Sequence, residues 1–515
     1  MHAANFTELR VRYAPSPTGL QHIGGVRTAL FNYLFARSVN GTFILRLEDT
    51  DRARSDESFV RNLYDTFAWL GFHWDEGPDI GGPAAPYVQS ERSALYKKYA
   101  EELVEKGEAY YCFCTAERLD NVRREREEAR AKGGGEGSAA SRESGYDRRC
   151  RAIPAEEARR RAGAGESHTV RLKIPLGVNG GPSPVTIFTD QLLGDIEWKN
   201  EDINPDPVLL KSDGFPTYHL ANIVDDHLMG ITHVLRAQEW LPSTPLHVIL
   251  YRAFGWEHPV FCHLPMVMGQ DGKKLSKRHG ATSVDEFRRQ GYLPEALVNY
   301  VALLGASYEE GKDIYTLEEL SRRFRADKLN KAPAVFDYKK LEWYNGQHIR
   351  MKSDGELAAL TLPHAVSAGL FGEAGAGPDA AQESLYTAAM PLIRERLNFL
   401  HEAPEKLRYL FSEPEVPAPE EFFPKKAGLE AALRLLKLGR EISAGMAACS
   451  DEEAEALVKA KAEKEAVKLG DLLMPLRVAI TGARVSPPLF GSLRLLGAEK
   501  CLARIDRALA KLEGW

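Results

Sequence analysis

His22 is the first residue whose type and place could do chemistry, since it stands just before Ile23-Gly24-Gly25, where a side chain can reach a phosphate or a leaving oxygen. The spacing of Val26, Leu30, Tyr33, Leu34 and Arg37 predicts a helix that starts near Gly24. The first turn of such a helix offers free amides and its positive dipole end to an anion. Far along the chain, Lys273, Lys274, Lys277 and Arg278 put four cations into six positions between glycines, in Gly269-Gln270-Asp271-Gly272-Lys273-Lys274-Leu275-Ser276-Lys277-Arg278-His279-Gly280. A loop of this kind suits closure over a polyphosphate, because it can follow charge as it moves to the leaving group. Either feature alone has an ordinary reading, a structural histidine in a strand-loop-helix corner or a solvated basic turn. Together they predict a polyphosphate site.

Three further sets of residues could serve such a site. Glu48 and Asp49 close a second predicted strand, Thr42 to Asp51, and ligands of open parallel sheets bind at the carboxyl ends of strands, so both are expected to face the crevice of His22. The alternative for that stretch is a helix cap supplied by Asp51 or Ser55. Arg12 and Arg236 lie near the carboxyl ends of predicted strands, where a planar guanidinium can grip a carboxylate. Each by itself reads first as a surface arginine on a half-exposed strand. Cys112, Cys114 and Cys150 offer three soft ligands to a tetrahedral Zn²⁺ that needs a fourth, or are three free thiols.

The elements that must hold these groups follow from pattern. Leu9, Val11 and Tyr13 alternate as a half-buried strand, which Pro15 and Pro17 end. Helical spacing recurs at 58–70, 91–107, after Lys211-Ser212-Asp213-Gly214, through Leu246 to Ala253 and over 287–304, with a strand at 231–236. A basic irregular stretch from Tyr110 to Cys150, with the low-complexity run 133–138, reads as an insertion; Arg148, Arg149, Arg151 and Arg159 to Arg161 could meet RNA phosphates there, or be solvated surface. Beyond Lys352 the pattern is almost wholly helical: Leu429 to Ile442, Leu457 to Leu473 and Leu493 to Leu512. The 515 residues are enough for several domains, with 44% hydrophobic and 27% charged. No apolar run approaches the roughly 20 residues of a membrane span. Six cysteines do not suggest a disulfide framework, and the first eight residues are too short and polar for a signal or transit peptide, so a cytoplasmic protein is expected. The net charge of -6 does not advertise nucleic acid, so RNA contact would depend on local basic patches.

The two phosphate elements, His22-Ile23-Gly24-Gly25 and Lys274-Leu275-Ser276-Lys277-Arg278, together with Pro15-Ser16-Pro17-Thr18-Gly19, resemble the signatures of class I aminoacyl-tRNA synthetases, and depart from their consensus as the bacterial-type glutamyl-tRNA synthetases do. The resemblance spans Leu9 to about Leu512 and extends to Leu472-Leu473-Met474-Pro475-Leu476-Arg477 near the end. It implies an α/β fold: a Rossmann-type nucleotide-binding domain with an acceptor-binding insertion, then stem-contact and all-α anticodon-binding domains. The expected boundaries are 1–109 and 208–268 for the two halves of the catalytic domain, 110–207 for the insertion, 269–351 for the basic loop and stem contact, and 352–515 for the anticodon domain.

By the same resemblance, His22, Lys274 and Lys277 are catalytic, and Gly24, Gly25, Trp240, Val267 and Lys277 bind ATP. Arg12, Ala14, Ser16, Glu48, Tyr218, Asn222 and Arg236 line the glutamate pocket, with Glu48 on the α-ammonium and the two arginines on the side-chain carboxylate. Tyr146 is implied as the fourth zinc ligand beside Cys112, Cys114 and Cys150, and Arg396 as the residue that selects the anticodon. For Trp240 and Val267 the residues alone read equally as core. The implied partners are ATP, Mg²⁺, L-glutamate and tRNA(Glu), with a monomer and no membrane. The implied reaction is formation of glutamyl-adenylate with release of pyrophosphate, then transfer to the terminal adenosine of tRNA. An enzyme that charges both tRNA(Glu) and tRNA(Gln) with glutamate, a glutaminyl-tRNA synthetase and a silent tRNA-binding paralogue share the scaffold; the Arg12 and Arg236 pair argues against the second, and intact His22, Lys274, Lys277 and Glu48 against the third.

Overall fold

Arg10–Tyr13 (β1) and Thr42–Leu45 (β2) pair in parallel, joined by the helix Ile23–Ser38 (α1). The computed structural model of the chain describes residues 8–50, 56–131, 146–177, 183–424 and 427–515. Asp51 and Ser55, the expected caps, lie outside the described residues, as does the run 133–138; the helix Glu57–Leu70 (α2) is capped instead by Asp56, whose carboxylate accepts from the amide of Ser58. Gly71 ends that helix in the left-handed region at φ 80°.

β1 neighbours a second parallel set. The amide of Thr232 donates to the carbonyl of Arg10 at 3.0 Å, just ahead of His233–Ala237 (β8), which pairs in parallel with Val260–Leu264 (β9). β9 in turn pairs with Val185–Asp190 (β5), the inner strand of an antiparallel hairpin with Gly194–Lys199 (β6). The carboxyl ends of β1, β2 and β8 therefore gather at one edge, as the sequence requires of a ligand site. A separate antiparallel sheet unites Ala109–Cys112 (β3), Thr169–Leu172 (β4) and Val208–Leu210 (β7).

The apolar spacing of α1 predicts one buried stripe, but the helix is buried nearly all round: Ala29, Phe31 and Ala36 are as enclosed as Val26 and Leu30. It packs on β1, β2 and β8 on one side and on the helix Leu317–Arg323 on the other, which no local pattern announces. The second strand is also shorter than expected, ending at Leu45; residues beyond it continue extended with single bridges, Leu47 to Val88 among them.

The chain divides into two compact units, Met1–Phe287 with Leu297–Asp337, and Arg288–Ala296 with Tyr338–Trp515. The expected helix over 287–304 is broken accordingly into Val284–Arg289 and Pro294–Ala302, because Gly291 turns at φ 82° and Pro294 opens the next helix. The second unit is built of helices around a core of Leu357, Tyr386, Met390, Leu436, Leu476 and Ile505. Two of its expected helices also divide: 457–473 runs across Asp451–Lys464 and Leu469–Thr481, and 493–512 breaks at Gly497, φ 80°. Ser353 with Glu356, Asp379 with Gln382 and Ser450 with Glu453 form capping boxes that fix three of its helix starts.

Candidate active site

At the gathered strand ends the first unit holds a cavity of about 820 Å³. Its lining includes Arg12, Ala14, Ser16, His22, Gly24, Gly25, Glu48, Tyr218, Asn222, Arg236, Trp240, Val267 and Lys274, so the residues expected to bind amino acid and nucleotide converge although they come from segments up to 262 positions apart.

His22 sits at the helix start. Its Nδ1 accepts from the amide of Gly24 at 3.1 Å, capping α1. Gly25 is required by close approach: a Cβ there would lie 2.7 Å from the hydroxyl of Tyr13 on β1. The basic loop is tied to the same corner. Ile23 donates to Thr282 at 2.9 Å and Val284 to Gln21 at 3.1 Å, so the residues after the loop ladder onto those flanking His22. Leu275 is buried and donates to Val267, which anchors the loop beside the cavity. Lys274 pairs with Glu239, whereas Lys277 is exposed in the turn Lys277–His279 and does not line the cavity. Burial first, and then Lys274, lower the pKa of His22.

The opposite end of the cavity carries buried charge. Arg12 faces Asp226 at 3.1 Å, and Arg46 bridges Asp226 at 2.7 Å and Glu48 at 3.1 Å. Arg92 holds the adjacent Asp225 at 2.7 Å, and Gln89 and Tyr96 donate to the same carboxylate. Burial works to raise Asp226, but Arg12 and Arg46 overcome it and hold the carboxyl below its ordinary value. Burial raises Glu48, with Arg46 opposing; Asn222 donates to it at 3.4 Å. Asp49 turns away from the crevice and caps the amide of Ser90 at 2.8 Å, correcting its expected orientation.

Arg236 differs from Arg12. Its Nε donates to His263 at 3.0 Å, one Nη to His247 at 3.2 Å and Tyr218 at 3.3 Å, the other to Thr244 at 2.8 Å and the carbonyl of Trp240 at 3.4 Å. All five N–H groups meet neutral acceptors, and Asp226 acts on it only at longer range. Burial pulls Arg236 down from its ordinary value and holds His247 well below the usual imidazole range, with Arg236 adding to the latter. Trp240 stacks obliquely on Tyr218, ring centroids 4.5 Å apart, and is 38% exposed, so it lines the cavity rather than filling the core. Val267 is both buried and cavity-lining.

A second cluster lies at the end of β3. The sulfurs of Cys112, Cys114 and Cys150 all fall within 4.8 Å of one another, with Cys114 and Cys150 at 3.5 Å. The Tyr146 hydroxyl hydrogen-bonds the Cys112 sulfur and accepts from Tyr110 at 3.0 Å, while Arg171 lies 3.8 Å over its ring. Hydrogen bonding from Cys150 lowers Cys112 to about 4, the thiolate that a metal requires. Three sulfurs and a phenol oxygen converging in a buried corner fit the donor set of a tetrahedral metal. Of the arginines nearby, Arg148 and Arg151 turn inward to the buried Asp206 rather than standing free for phosphate, and Arg161 pairs with Glu166. Arg396 lies in the second unit and donates to the carbonyl of Ser486 at 2.7 Å, where Arg477 also converges.

Pattern reading missed Asp225, Asp226, Arg46, His247 and His263. The signal for the first two was a pair of adjacent acids directly after the apolar Ile223-Val224 in the helix Tyr218–Leu228.

Residues 8–343 match the catalytic domain of tRNA synthetases class I (E and Q), and residues 356–509 match an anticodon binding domain. The chain is 55% identical over 520 residues to the glutamate–tRNA ligase of Treponema denticola, covering 98% of this chain and 99% of that protein. It is 46% identical over 500 residues to that of Thermus thermophilus, covering 97% and 99%. The crystal structure of glutamate-tRNA synthetase from Elizabethkingia anophelis matches with a TM-score of 0.82 at 34% identity, covering 98% of this chain and all of that one. The chain belongs to the class I tRNA synthetases of the glutamate and glutamine group.

Proposed function

We infer that this chain is a glutamate–tRNA ligase that activates L-glutamate with ATP, releases pyrophosphate, and transfers the glutamyl group from the adenylate to the 2′-hydroxyl of the terminal adenosine of tRNA(Glu). The observation that carries the choice of amino acid is Arg236, a buried guanidinium that meets only neutral acceptors inside the cavity that also holds His22. A glutamate side chain supplies the missing negative charge; glutamine leaves it uncompensated.

Activation is an in-line attack of the α-carboxylate on the α-phosphorus, and it needs two anions held together while charge builds on the leaving pyrophosphate. Glu48 takes the substrate's ammonium group, with Asn222 beside it. Arg236 and Tyr218 receive the side-chain carboxylate; Arg12, neutralised by Asp226, shapes this wall, which Ala14 and Ser16 complete. Trp240 and Val267 flank the adenosine. The Nε2–H of His22 and the positive end of α1 at Gly24 and Gly25, whose own amides are held by His22, face the phosphates, and Lys274 and Lys277 follow the charge to pyrophosphate. Mg²⁺, when bound, neutralises phosphate oxygens. A Zn²⁺ held by Cys112, Cys114, Cys150 and Tyr146 would be structural, since four protein ligands close its shell. Arg396 reads the anticodon in favour of tRNA(Glu). The reading includes a cytoplasmic monomer on the sequence grounds above; among the described residues no helix is long and apolar enough to cross a membrane.

Pyrophosphate exchange into ATP tests the assignment, with glutamate or glutamine, each with and without tRNA. Exchange with glutamate alone is expected. Exchange with glutamine alone would overturn the argument from Arg236, and no exchange at all would leave a silent tRNA-binding protein.

A further inference from the structure

We propose that Asp190 and His263 are positioning residues that present Arg236 as an uncompensated cation, and that they thereby set the preference for a side-chain carboxylate over a carboxamide. The proposal rests on the reading of Arg236 as the receptor of that carboxylate.

A guanidinium can only donate hydrogen bonds, so the ring nitrogens that face it must accept. The Nε2 of His263, 3.0 Å from Arg236 Nε, is therefore bare, and the ring proton is on Nδ1. That proton is donated to Asp190 Oδ2 at 2.7 Å. Asp190 ends β5 and is fully buried, as is His263 on β9. Its Oδ1 accepts from the amides of Leu192 and Leu193 at 3.0 and 2.9 Å, and its Oδ2 also accepts from the amide of His263 at 3.0 Å. The carboxylate is thus saturated by two amides of its own turn and by the amide and ring of His263, and stands one imidazole ring away from Arg236. His247 repeats the logic on the other edge: its Nδ1 accepts from Arg236, so its Nε2–H is left to donate to His219 Nδ1 at 3.1 Å.

The same cavity contains the contrasting arrangement. Arg12 meets Asp226 directly, and that pair is electrically closed. Arg236 is hydrogen-bonded everywhere and paired nowhere, and its two longest contacts, to Tyr218 at 3.3 Å and the Trp240 carbonyl at 3.4 Å, are the ones a substrate carboxylate would replace most cheaply. A carboxylate at the place of His263 would close Arg236 as Asp226 closes Arg12.

The test compares Asp190→Asn, His263→Gln, the double variant Asp190→Asn with His263→Glu, and Arg236→Leu. Each is assayed by pyrophosphate exchange in the presence of tRNA, and by thermal melting. In Asp190→Asn the amides of Leu192 and Leu193 claim the new side-chain carbonyl, so its NH₂ points at Nδ1, and His263 is forced to turn an N–H toward Arg236. We expect the KM for glutamate to rise at least about tenfold with kcat changed less than about twofold and the KM for ATP unmoved. His263→Gln keeps an acceptor for Arg236 and a donor for Asp190, and should hold the glutamate KM within about threefold of the parent. The double variant sets a carboxylate on Arg236 and should cut the glutamate-to-glutamine ratio of kcat/KM at least about tenfold. Parental KM and selectivity in Asp190→Asn and the double variant, while Arg236→Leu loses both, would overturn the proposal alone; undiminished selectivity in Arg236→Leu would bring down the reading of Arg236. If Asp190→Asn fails to fold, the double variant decides the question, since its introduced carboxamide can donate to its introduced carboxylate. A loss in His263→Gln equal to that in Asp190→Asn, spread over kcat and both substrates, would also overturn it as a merely structural effect.

Discussion

His22 Nδ1 accepts the amide hydrogen of Gly24 at 3.1 Å, so the histidine of the first signature is the cap of α1 as well as a wall of the cavity. With Nδ1 occupied as an acceptor, the proton of the neutral ring is on Nε2, a donor available to a phosphate oxygen. Burial and Lys274 favour that neutral ring.

The two roles of His22 separate by substitution. His22→Ala removes both and should cost about 0.5–2 kcal/mol through the lost cap. His22→Asn keeps a capping oxygen and should melt near the parent, yet both variants should lose about a hundredfold in glutamate-dependent exchange, the typical worth of one preorganised donor. Parental exchange by His22→Asn would reduce His22 to a cap.

Glu48 should make glutamate binding sensitive to acid. Burial raises its pKa despite Arg46, and Arg12, Asp226 and Asn222 also face it. An ammonium ligand requires the carboxylate form, which exists only above the raised value. The KM for glutamate should therefore rise as pH is lowered through that value, with log KM against pH approaching a slope of about -1. Glu48→Gln should raise the KM throughout and flatten the profile, and an unchanged slope would place the titration elsewhere.

How far the site was legible follows from its chemistry. His22, Gly25 and the lysines are close in sequence to the features that explain them, a helix start and a glycine-bounded loop. Arg12 and Arg236 were legible as strand-end cations, but not as opposites. What separates them is Asp226, 214 positions from Arg12, against His263 and His247, which no sequence pattern singled out. Local pattern records burial; it does not record which buried charge meets which partner. The all-round burial of α1 was hidden for a similar reason, since Leu317–Arg323 covers it from far down the chain. Helix breaks at Gly291 and Gly497 were written locally, yet the apolar spacing on either side ran on through them.

The closed pair of Arg12 and Asp226 should behave as a stability element. Burial pushes Asp226 upward, but Arg12 and Arg46 hold its folded value below the unfolded one. The stabilisation is therefore present above the ordinary carboxylate value, about pH 4, and is lost as pH falls through the depressed folded value. Asp226→Asn should cost about 3–5 kcal/mol at pH 7, because two buried cations lose their partner. Urea unfolding of parent and variant at stepped pH should show this difference shrinking under acid; a constant difference would mean that Asp226 contributes packing rather than charge.

The cysteine cluster makes a prediction independent of the cavity. Three sulfurs within 4.8 Å of one another, with the Tyr146 hydroxyl hydrogen-bonded to Cys112, are a self-repelling arrangement once more than one thiol ionises, and a dication removes that repulsion. Protein purified without chelator should carry about one zinc per chain by elemental analysis, the stoichiometry of a single tetrahedral site. Cys150→Ala should carry none, and Tyr146→Phe, which keeps all three sulfurs, should bind the ion but lose it at a lower chelator concentration. Because the ligands tie β3 to the turn Arg149–Ala152, chelation should lower the melting temperature of the parent and leave that of Cys150→Ala unmoved. Equal melting of parent and chelated protein, with no metal in either, would establish three free thiols held together by packing alone.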